Sequence, residues 1–266
     1  LMVRFYLAMA RIGIIGQFQY RVAAYFYMIG MVTEPIIYLV VWSSIARHSP
    51  GGAVDGYTPA TFAAYYIVWT LVRNINIVFT PFGWEERIRE GTLSAHLLQP
   101  LHPIHRDLAE FAGTKVTTIL LWIPIAIGLS IAFHPALHPS ALQVVVFLIA
   151  IWGAYLIRSF ALWVLGMVTF WTTRVGALFE AYFLAELLLS GRLVPMALMP
   201  GWVQTVSWAL PFRWTFGFPI TALVGPVSDR DLGIGLAMQA MWIAVWSVVV
   251  VVVWRRGVRR FTAVGA

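Results

Sequence analysis

The chain has no cysteine, one lysine and few charged residues of any kind. The lack of cysteine excludes a disulfide framework and a cysteine-ligated metal site. Charged residues make up 11% of the 266 residues and hydrophobic residues 61%, whereas a soluble domain is about a quarter charged and about half apolar. This composition argues against an ordinary soluble domain and favours a membrane protein.

The single lysine also excludes a phosphate-binding loop, which needs spaced glycines and a lysine followed by serine or threonine. Lys115 lies in Gly113-Thr114-Lys115-Val116, where the spacing is wrong. Any use of ATP must therefore come from another chain. His96, His102 and His105 are interpreted as solvated loop histidines rather than metal ligands, and no convergent catalytic set is present. We predict neither an enzyme nor a metal site in this chain.

Long apolar runs dominate what is present. A spanning helix needs roughly 20 mostly apolar residues, and the sequence provides such runs between turn-rich breaks. We predict a single all-α integral membrane domain over 1–266, with an N-terminal interfacial helix over 1–21. The six predicted transmembrane helices cover 22–46, 59–80, 111–133, 141–171, 175–190 and 232–254.

The basic residues predict the orientation of these helices, because cytoplasmic segments carry an excess of arginine and lysine. With the N-terminus inside, twelve basic residues fall inside and four outside. The inside set is Arg4, Arg11, Arg21, Arg87, Arg89, Arg106, Lys115, Arg174, Arg255, Arg256, Arg259 and Arg260. The outside set is Arg47, Arg192, Arg213 and Arg230. Both termini are therefore predicted to be cytoplasmic.

The segment 191–226 is apolar but interrupted by prolines, which remove backbone donors and break helices. Because bare backbone cannot face lipid, we predict a re-entrant pair of half-helices over about 201–210 and 212–224 on the outer side. One kinked span is the alternative, and it would leave the basic tail outside. The marker residues of the segment are Gly191, Pro195, Pro200, Trp202 and Pro211.

Five charged residues fall inside or near the predicted spans. They are Glu34, Arg73, Arg158, Glu180 and Glu186. A charge at the bilayer centre costs at least about 2.5–3.5 kcal/mol, so such residues pair, face the protein interior or line water. Two interpretations stay open: a substrate path or gate, and structural ion pairs that lock the helix packing.

The stretch 85–100 between the second and third spans is the most informative motif. A charged helix there is expected to end at Gly91, and Thr92 is expected to cap a second short helix. Leu93, Leu97 and Leu98 share a face of that helix, which suits docking in a partner's groove. The alternative is a helix lying on lipid.

This stretch, of the form E-x-x-x-E-G-T-L-x-x-x-L-L-Q-P over 86–100, resembles the coupling region of ABC-2-type permeases, the membrane subunits of ATP-driven exporters. The segment from Leu189-Ser190-Gly191 through Leu210-Pro211-Phe212 is similar to the re-entrant half-helices of the same family. Arg192 departs from that pattern, in which an apolar residue is expected. The interfacial helix and the six spans agree with the family over essentially the whole chain.

The resemblance implies a permease subunit that works with two copies of an ABC ATP-binding subunit and with a second permease, identical or homologous. ATP and magnesium would be used by the ATP-binding subunits, so this chain needs no cofactor of its own. The implied location is the plasma (inner) membrane, in contact with lipid and not with nucleic acid. The implied cargo is a hydrophobic or cationic drug-like molecule, an antibiotic or a lipid.

The residues implied to couple ATP hydrolysis to transport lie in the 85–100 stretch. They are Glu85, Glu86, Arg87, Arg89, Glu90, Gly91, Thr92, Leu93, Leu97, Leu98 and Pro100. A stand-alone secondary transporter that uses buried Glu and Arg residues is the alternative, although no inverted repeat is visible. An intramembrane enzyme is the third class, and it lacks a catalytic set.

Overall fold

The computed structural model describes residues 2–19, 21–78, 81–172 and 174–261, with backbone alone at 18, 19, 21–25, 27–29 and 31. Throughout these ranges the regular structure is helical, with no strand, which confirms the all-α prediction. The helices are α1 (Met2–Gln19), α2 (Arg21–His48), α3 (Pro59–Ile75), α4 (Pro81–Arg89), α5 (Leu93–Leu97), α6 (Pro103–Phe133), α7 (Ala141–Met167), α8 (Gly176–Leu189), α9 (Gly201–Ala209), α10 (Gly217–Val224) and α11 (Asp229–Val258).

Helices occupy all six positions where spans are predicted. Among the described residues, three are long and apolar enough to cross a bilayer, namely Pro103–Phe133, Ala141–Phe170 and Asp229–Val258. By contrast, α8 has 14 residues and reaches about 21 Å, less than the hydrocarbon thickness of about 30 Å. The number of spans therefore stays a prediction, and the predicted boundaries at residues 1 and 80 lie outside the described residues.

Two long helices begin earlier than predicted because their polar first turns are well capped. The third predicted span starts at 111, but α6 begins at Pro103, which suits the first turn because its missing N–H needs no partner. The last span is predicted from 232, but α11 begins at Asp229, where the Ser228 hydroxyl accepts the backbone N–H of Asp231 at 3.2 Å. Local capping extends both helices beyond their apolar runs.

Helix α3 forms the centre of the bundle and packs against α2, α6, α7 and α10. Residues 62–72 are buried on every side of the helix, as expected for a helix without a polar face. Its C-terminal end is capped from α6, where Lys115 donates hydrogen bonds to the carbonyl oxygens of Asn74, at 3.4 Å, and Ile77. The only lysine of the chain is thus a buried cap of the central helix.

The first helix lies against α6 over a close backbone contact. A Cβ added at Gly113 would overlap the carbonyl oxygen of Ala10, and one at Gly13 would overlap that of Glu110. The side chains of Arg4 and Arg11 on α1 are exposed. This arrangement is compatible with the predicted interfacial helix.

We expect Gly113→Val to detach α1 from α6, at a cost of about 1–3 kcal/mol typical of overpacking. In the detergent-purified chain, tryptic cleavage after Arg11 should become faster while the rest of the bundle stays protected. The matched control is Gly128→Val, because a Cβ there meets nothing within 4 Å. Equal cleavage of both variants would show that the Gly13–Gly113 contact does not hold α1.

Candidate functional site

The two short helices between α3 and α6, residues 81–100, form what we call the α4–α5 elbow. Arg89 ends α4, and Gly91 follows with a φ of 72°, a left-handed conformation that favours glycine. The prediction that Thr92 caps α5 is wrong. Thr92 has helical dihedral angles, makes no capping hydrogen bond, and its hydroxyl lies 3.5 Å from the Arg87 carbonyl oxygen instead.

Four other helices hold the elbow in place. Arg87 donates two parallel hydrogen bonds to Asp107 of α6, at 2.8 and 2.9 Å. Glu85 accepts the backbone N–H of Val175, immediately before α8, at 3.0 Å. These bidentate and charge-assisted bonds are the strong and geometrically specific kind.

Trp84 completes the attachment. Its ring is fully buried and packs edge-on against Trp163 of α7 and Trp254 of α11, with ring centroids 5.8 and 6.0 Å apart. A Cβ at Gly166 would lie only 2.5 Å from the Cβ of Trp84, so the glycine permits this close approach. The elbow is therefore anchored to α6, α7, α8 and α11 together.

The leucine face predicted for docking is only partly exposed. Leu93 is fully buried in the chain's own core with Trp84, Ile104 and Met167, so it cannot contact a partner, and that part of the prediction is wrong. Leu97 and Leu98 are 37% and 88% exposed. Among the residues implied to couple ATP hydrolysis to transport, the others that are exposed are Glu86, Arg89, Glu90, Thr92 and Pro100.

The loop histidines that follow the elbow are not all solvated as expected. The ring of His102 lies over Trp254, with centroids 4.2 Å apart, and its Nδ1 accepts the backbone N–H of Ile104 at 3.3 Å. Burial of the ring and, to a smaller extent, the nearby His105 lower the pKa of His102 to about 4, so the ring is neutral at pH 7. His105 shares a hydrogen bond of 2.7 Å with the hydroxyl of Tyr6.

Charged side chains from α2, α3, α7, α8 and the segment after α8 meet within the bundle. Arg158 makes a two-pronged contact with Glu186, at 2.7 and 3.0 Å, and also donates to the carbonyl oxygen of Asn76. Arg73 contacts Glu34 at 2.8 Å. Two of the pairings allowed by the sequence are therefore present.

Arg192 joins these two pairs. Its guanidinium lies 3.6 Å from Glu34 and 3.7 Å from Glu186 and stacks over the ring of Phe183 at 4.9 Å. We call Glu34, Arg73, Arg158, Glu186 and Arg192 the charge network. Glu180, also predicted to be an intramembrane charge, is exposed and makes no described contact with it.

The sequence interpretation noted Arg192 as a departure from the family pattern but did not count it among the intramembrane charges, because it assigned the whole 191–226 segment to the outer side. The available signal was the same as for Arg73, a charge in an otherwise apolar run. The turn that presents Arg192 is clamped from α3, where Tyr65 donates to the Gly191 carbonyl at 2.7 Å and Tyr66 to that of Leu193 at 3.1 Å. Gly191 has a φ of 83°, which favours glycine.

The proline-broken segment forms two short helices, close to the predicted positions. Pro195 precedes the 3₁₀ turn Met196–Leu198, Pro200 precedes α9, and Pro211 precedes the 3₁₀ turn Phe212–Trp214. The second helix begins at Gly217 rather than 212. A helix from 212 would place Pro219 in its interior against the Thr215 carbonyl, whereas the observed start places it in the first turn, where proline is tolerated. Trp202, on α9, is 70% exposed.

Comparison with known proteins identifies the family. No curated protein matches the sequence. The family model described as ABC-2 family transporter protein matches residues 5–265, essentially the whole chain. This match confirms the resemblance found in the 86–100 and 189–212 motifs and, with the apolar helices, supports a transmembrane permease role. The chain therefore belongs to the ABC-2 family of transporter proteins.

Proposed function

We propose that this permease moves its cargo outward across the membrane, driven by ATP hydrolysis on a separate ABC ATP-binding subunit that docks on the α4–α5 elbow. Membrane proteins of the ABC-2 family generally work with an ATP-binding subunit. The proposal assigns nucleotide and magnesium to that subunit and gives this chain no catalytic residue.

The attachment of the elbow is the observation that carries this proposal. Glu86, Glu90, Leu97 and Leu98 are exposed to a partner, while Arg87, Glu85 and Trp84 fasten the same short element to four helices. A partner that displaces the elbow must also displace those helices or break buried contacts. Packed elements respond to such a push as units rather than by continuous deformation.

The proposed assembly contains two ATP-binding subunits and two permeases, alike or homologous. Both termini face the cytoplasm and the complex lies in the plasma (inner) membrane, as the distribution of basic residues favours. The elbow and the C-terminal end of α11 adjoin each other through Trp84 and Trp254, so Arg255 and Arg256 of the last turn lie at the elbow's end of the bundle.

The proposed cargo is a hydrophobic or cationic drug-like molecule, an antibiotic or a lipid. Four aromatic residues of the predicted spans do not strengthen this assignment, because Tyr65, Tyr66, Trp69 and Trp163 are buried in helix packing. The cargo class therefore rests on the resemblance to exporter permeases.

A stand-alone secondary transporter is the second candidate. The charge network favours it, because such transporters place ion and substrate sites beside discontinuous helices. Here Arg192 lies in the broken segment and contacts acids of α2 and α8. The two candidates differ in their energy source.

We expect the purified chain alone to hydrolyse no ATP and the complex with its cognate ATP-binding subunit to do so. Proteoliposomes with this complex should lose transport when the phosphate-loop lysine of the ATP-binding subunit is replaced, which provides the matched control. Transport by this chain alone, driven by an ion gradient, would overturn the proposal in favour of the secondary transporter.

A further inference from the structure

A cavity of about 550 Å³ opens at the end of the bundle far from the elbow. The elbow adjoins Trp254 near the C-terminal end of α11, whereas the cavity is lined by Asp231 and Ile234 near its N-terminal end. We call it the distal cavity. Its volume lies within the range of about 300–1,000 Å³ typical of small-molecule sites, and none of the charge-network residues lines it.

The walls of the distal cavity are fixed by buried contacts. The carbonyl oxygen of Trp214 accepts a hydrogen bond from Gln239 of α11 at 2.8 Å. The indole N–H of Trp214 donates to the carbonyl oxygen of Trp208 at 3.3 Å. The ring of Phe218 packs where a Cβ at Gly235 would stand. The cavity is therefore pre-formed, which reduces the ordering cost of binding.

Charges of both signs line the cavity at different levels of exposure. Arg213 is half-buried, with its guanidinium 5.8 Å from the ring centroid of Trp214, and among the described residues no carboxylate lies within 4 Å of it. Asp55 and Asp231 are exposed. The cavity thus offers one half-buried cation, Arg213, that lacks a carboxylate partner, and two exposed acids, Asp55 and Asp231.

The surface beside the cavity is apolar. Ile234, which lines it, is 38% exposed, and Trp208, which also lines it, is 49% exposed. Trp202, on the same short helix as Trp208, is 70% exposed. Trp208 lines the same cavity as Asp231 at the N-terminal end of α11, a candidate membrane-spanning helix, and tryptophans are enriched at the level of the lipid headgroups.

We propose that the distal cavity binds the headgroup of a zwitterionic phospholipid, with the phosphate on Arg213 and the ammonium group near Asp55 and Asp231. Arginine is well suited to phosphate because its guanidinium can donate two parallel hydrogen bonds. A purely anionic headgroup would be repelled by the two acids, and a purely cationic one by Arg213. The acyl chain would lie along the apolar surface of Trp208 and Ile234.

This inference goes beyond the proposed function, since binding requires neither ATP nor a partner subunit. The test uses the full chain in detergent, with lysophosphatidylethanolamine, lysophosphatidylglycerol and dodecyltrimethylammonium as probes in equilibrium binding measurements. We expect the first probe to bind on the order of tenfold more tightly than the other two. Such a factor corresponds to about one charge-assisted hydrogen bond.

The variants locate the binding. Arg213→Gln should weaken lysophosphatidylethanolamine on the order of tenfold without weakening dodecyltrimethylammonium. Asp55→Asn with Asp231→Asn should remove the preference over lysophosphatidylglycerol. Arg230→Gln is the matched control, because Arg230 is an exposed arginine at the same end of α11 that does not line the cavity, and it should bind as the wild type does.

Two results would overturn the proposal. One is equal affinity for all three probes, unchanged by Arg213→Gln, in protein whose thermal unfolding matches the wild type. The other is equally tight binding of glycerophosphoethanolamine, which has the headgroup without the chain, because that would identify a site for a soluble zwitterion rather than for a lipid. Neither result bears on ATP-driven transport, so the proposed function is tested separately.

Discussion

Replacing Glu186 with glutamine should destabilise the protein more than any other single substitution in the charge network, by about 3–5 kcal/mol. Glu186 is fully buried, contacts Arg158 twice and lies 3.7 Å from Arg192. The network holds three arginines and two glutamates, a net charge of +1. Losing one glutamate raises this to +2 in a buried environment, where unpaired charge is costly.

The partner substitution should be milder although it breaks the same ion pair. Arg158→Gln leaves two arginines and two glutamates, a net charge of zero, and Arg192 already lies within 3.7 Å of Glu186. The double variant Arg158→Gln/Glu186→Gln restores a net charge of +1 and should be more stable than Glu186→Gln alone. Thermal unfolding of the four proteins in one detergent gives the coupling energy.

Glu180→Gln is the matched control, because it removes the same charge from the same helix at an exposed position. It should unfold as the wild type does. Equal destabilisation by Glu186→Gln and Arg158→Gln, with additive effects in the double variant, would show that the two residues act independently. That result would favour the interpretation in which these charges line a substrate path.

Introducing aspartate at Leu97 and Leu98 should abolish association with the ATP-binding subunit while the permease stays folded. Both side chains are exposed in the isolated chain, so the substitution costs little there. In a docked complex each aspartate would be buried without a partner, at a cost of about 2–5 kcal/mol, or about 30-fold or more in affinity. Pull-down of the ATP-binding subunit by the membrane-extracted permease measures this.

Two controls separate docking from folding. Gln99→Asp adds a charge at a neighbouring exposed position without removing an apolar side chain, and it should leave the pull-down close to the wild-type level. Leu93→Ala removes a core side chain and should lower the stability of the permease itself by about 2–5 kcal/mol. If the Leu97/Leu98 variant assembles and transports as the wild type does, the elbow is not the docking element.

The elbow shows how far periodicity alone could reach. The spacing of Leu93, Leu97 and Leu98 correctly predicts a helical face, but it cannot tell which part of that face the chain covers itself. Leu93 is buried by Trp84, Ile104 and Met167, which lie on three different helices, α4, α6 and α7. The correction therefore required the packing of α6 and α7 against α4.

The charge network shows the same limit for ionisable residues. The cost of a charge in an apolar span marked Glu34, Arg73, Arg158 and Glu186 for pairing, and their pairs are present. The same argument also selected Glu180, which is exposed, and left Arg192 among the residues assigned to the outer side. Depth along a helix can be counted from the sequence, whereas the direction in which a side chain points depends on which helices lie beside it.

The sequence by itself determined the helical class, the positions of the main helices, the proline breaks and the absence of a phosphate-binding loop, because these depend on composition and on near neighbours in the chain. The tertiary structure decided which residues meet. The bridge from Arg192 to Glu34 and Glu186, the four-helix anchorage of the elbow and the distal cavity all join segments far apart in sequence. No local pattern specifies such contacts, since they arise only when the helices pack.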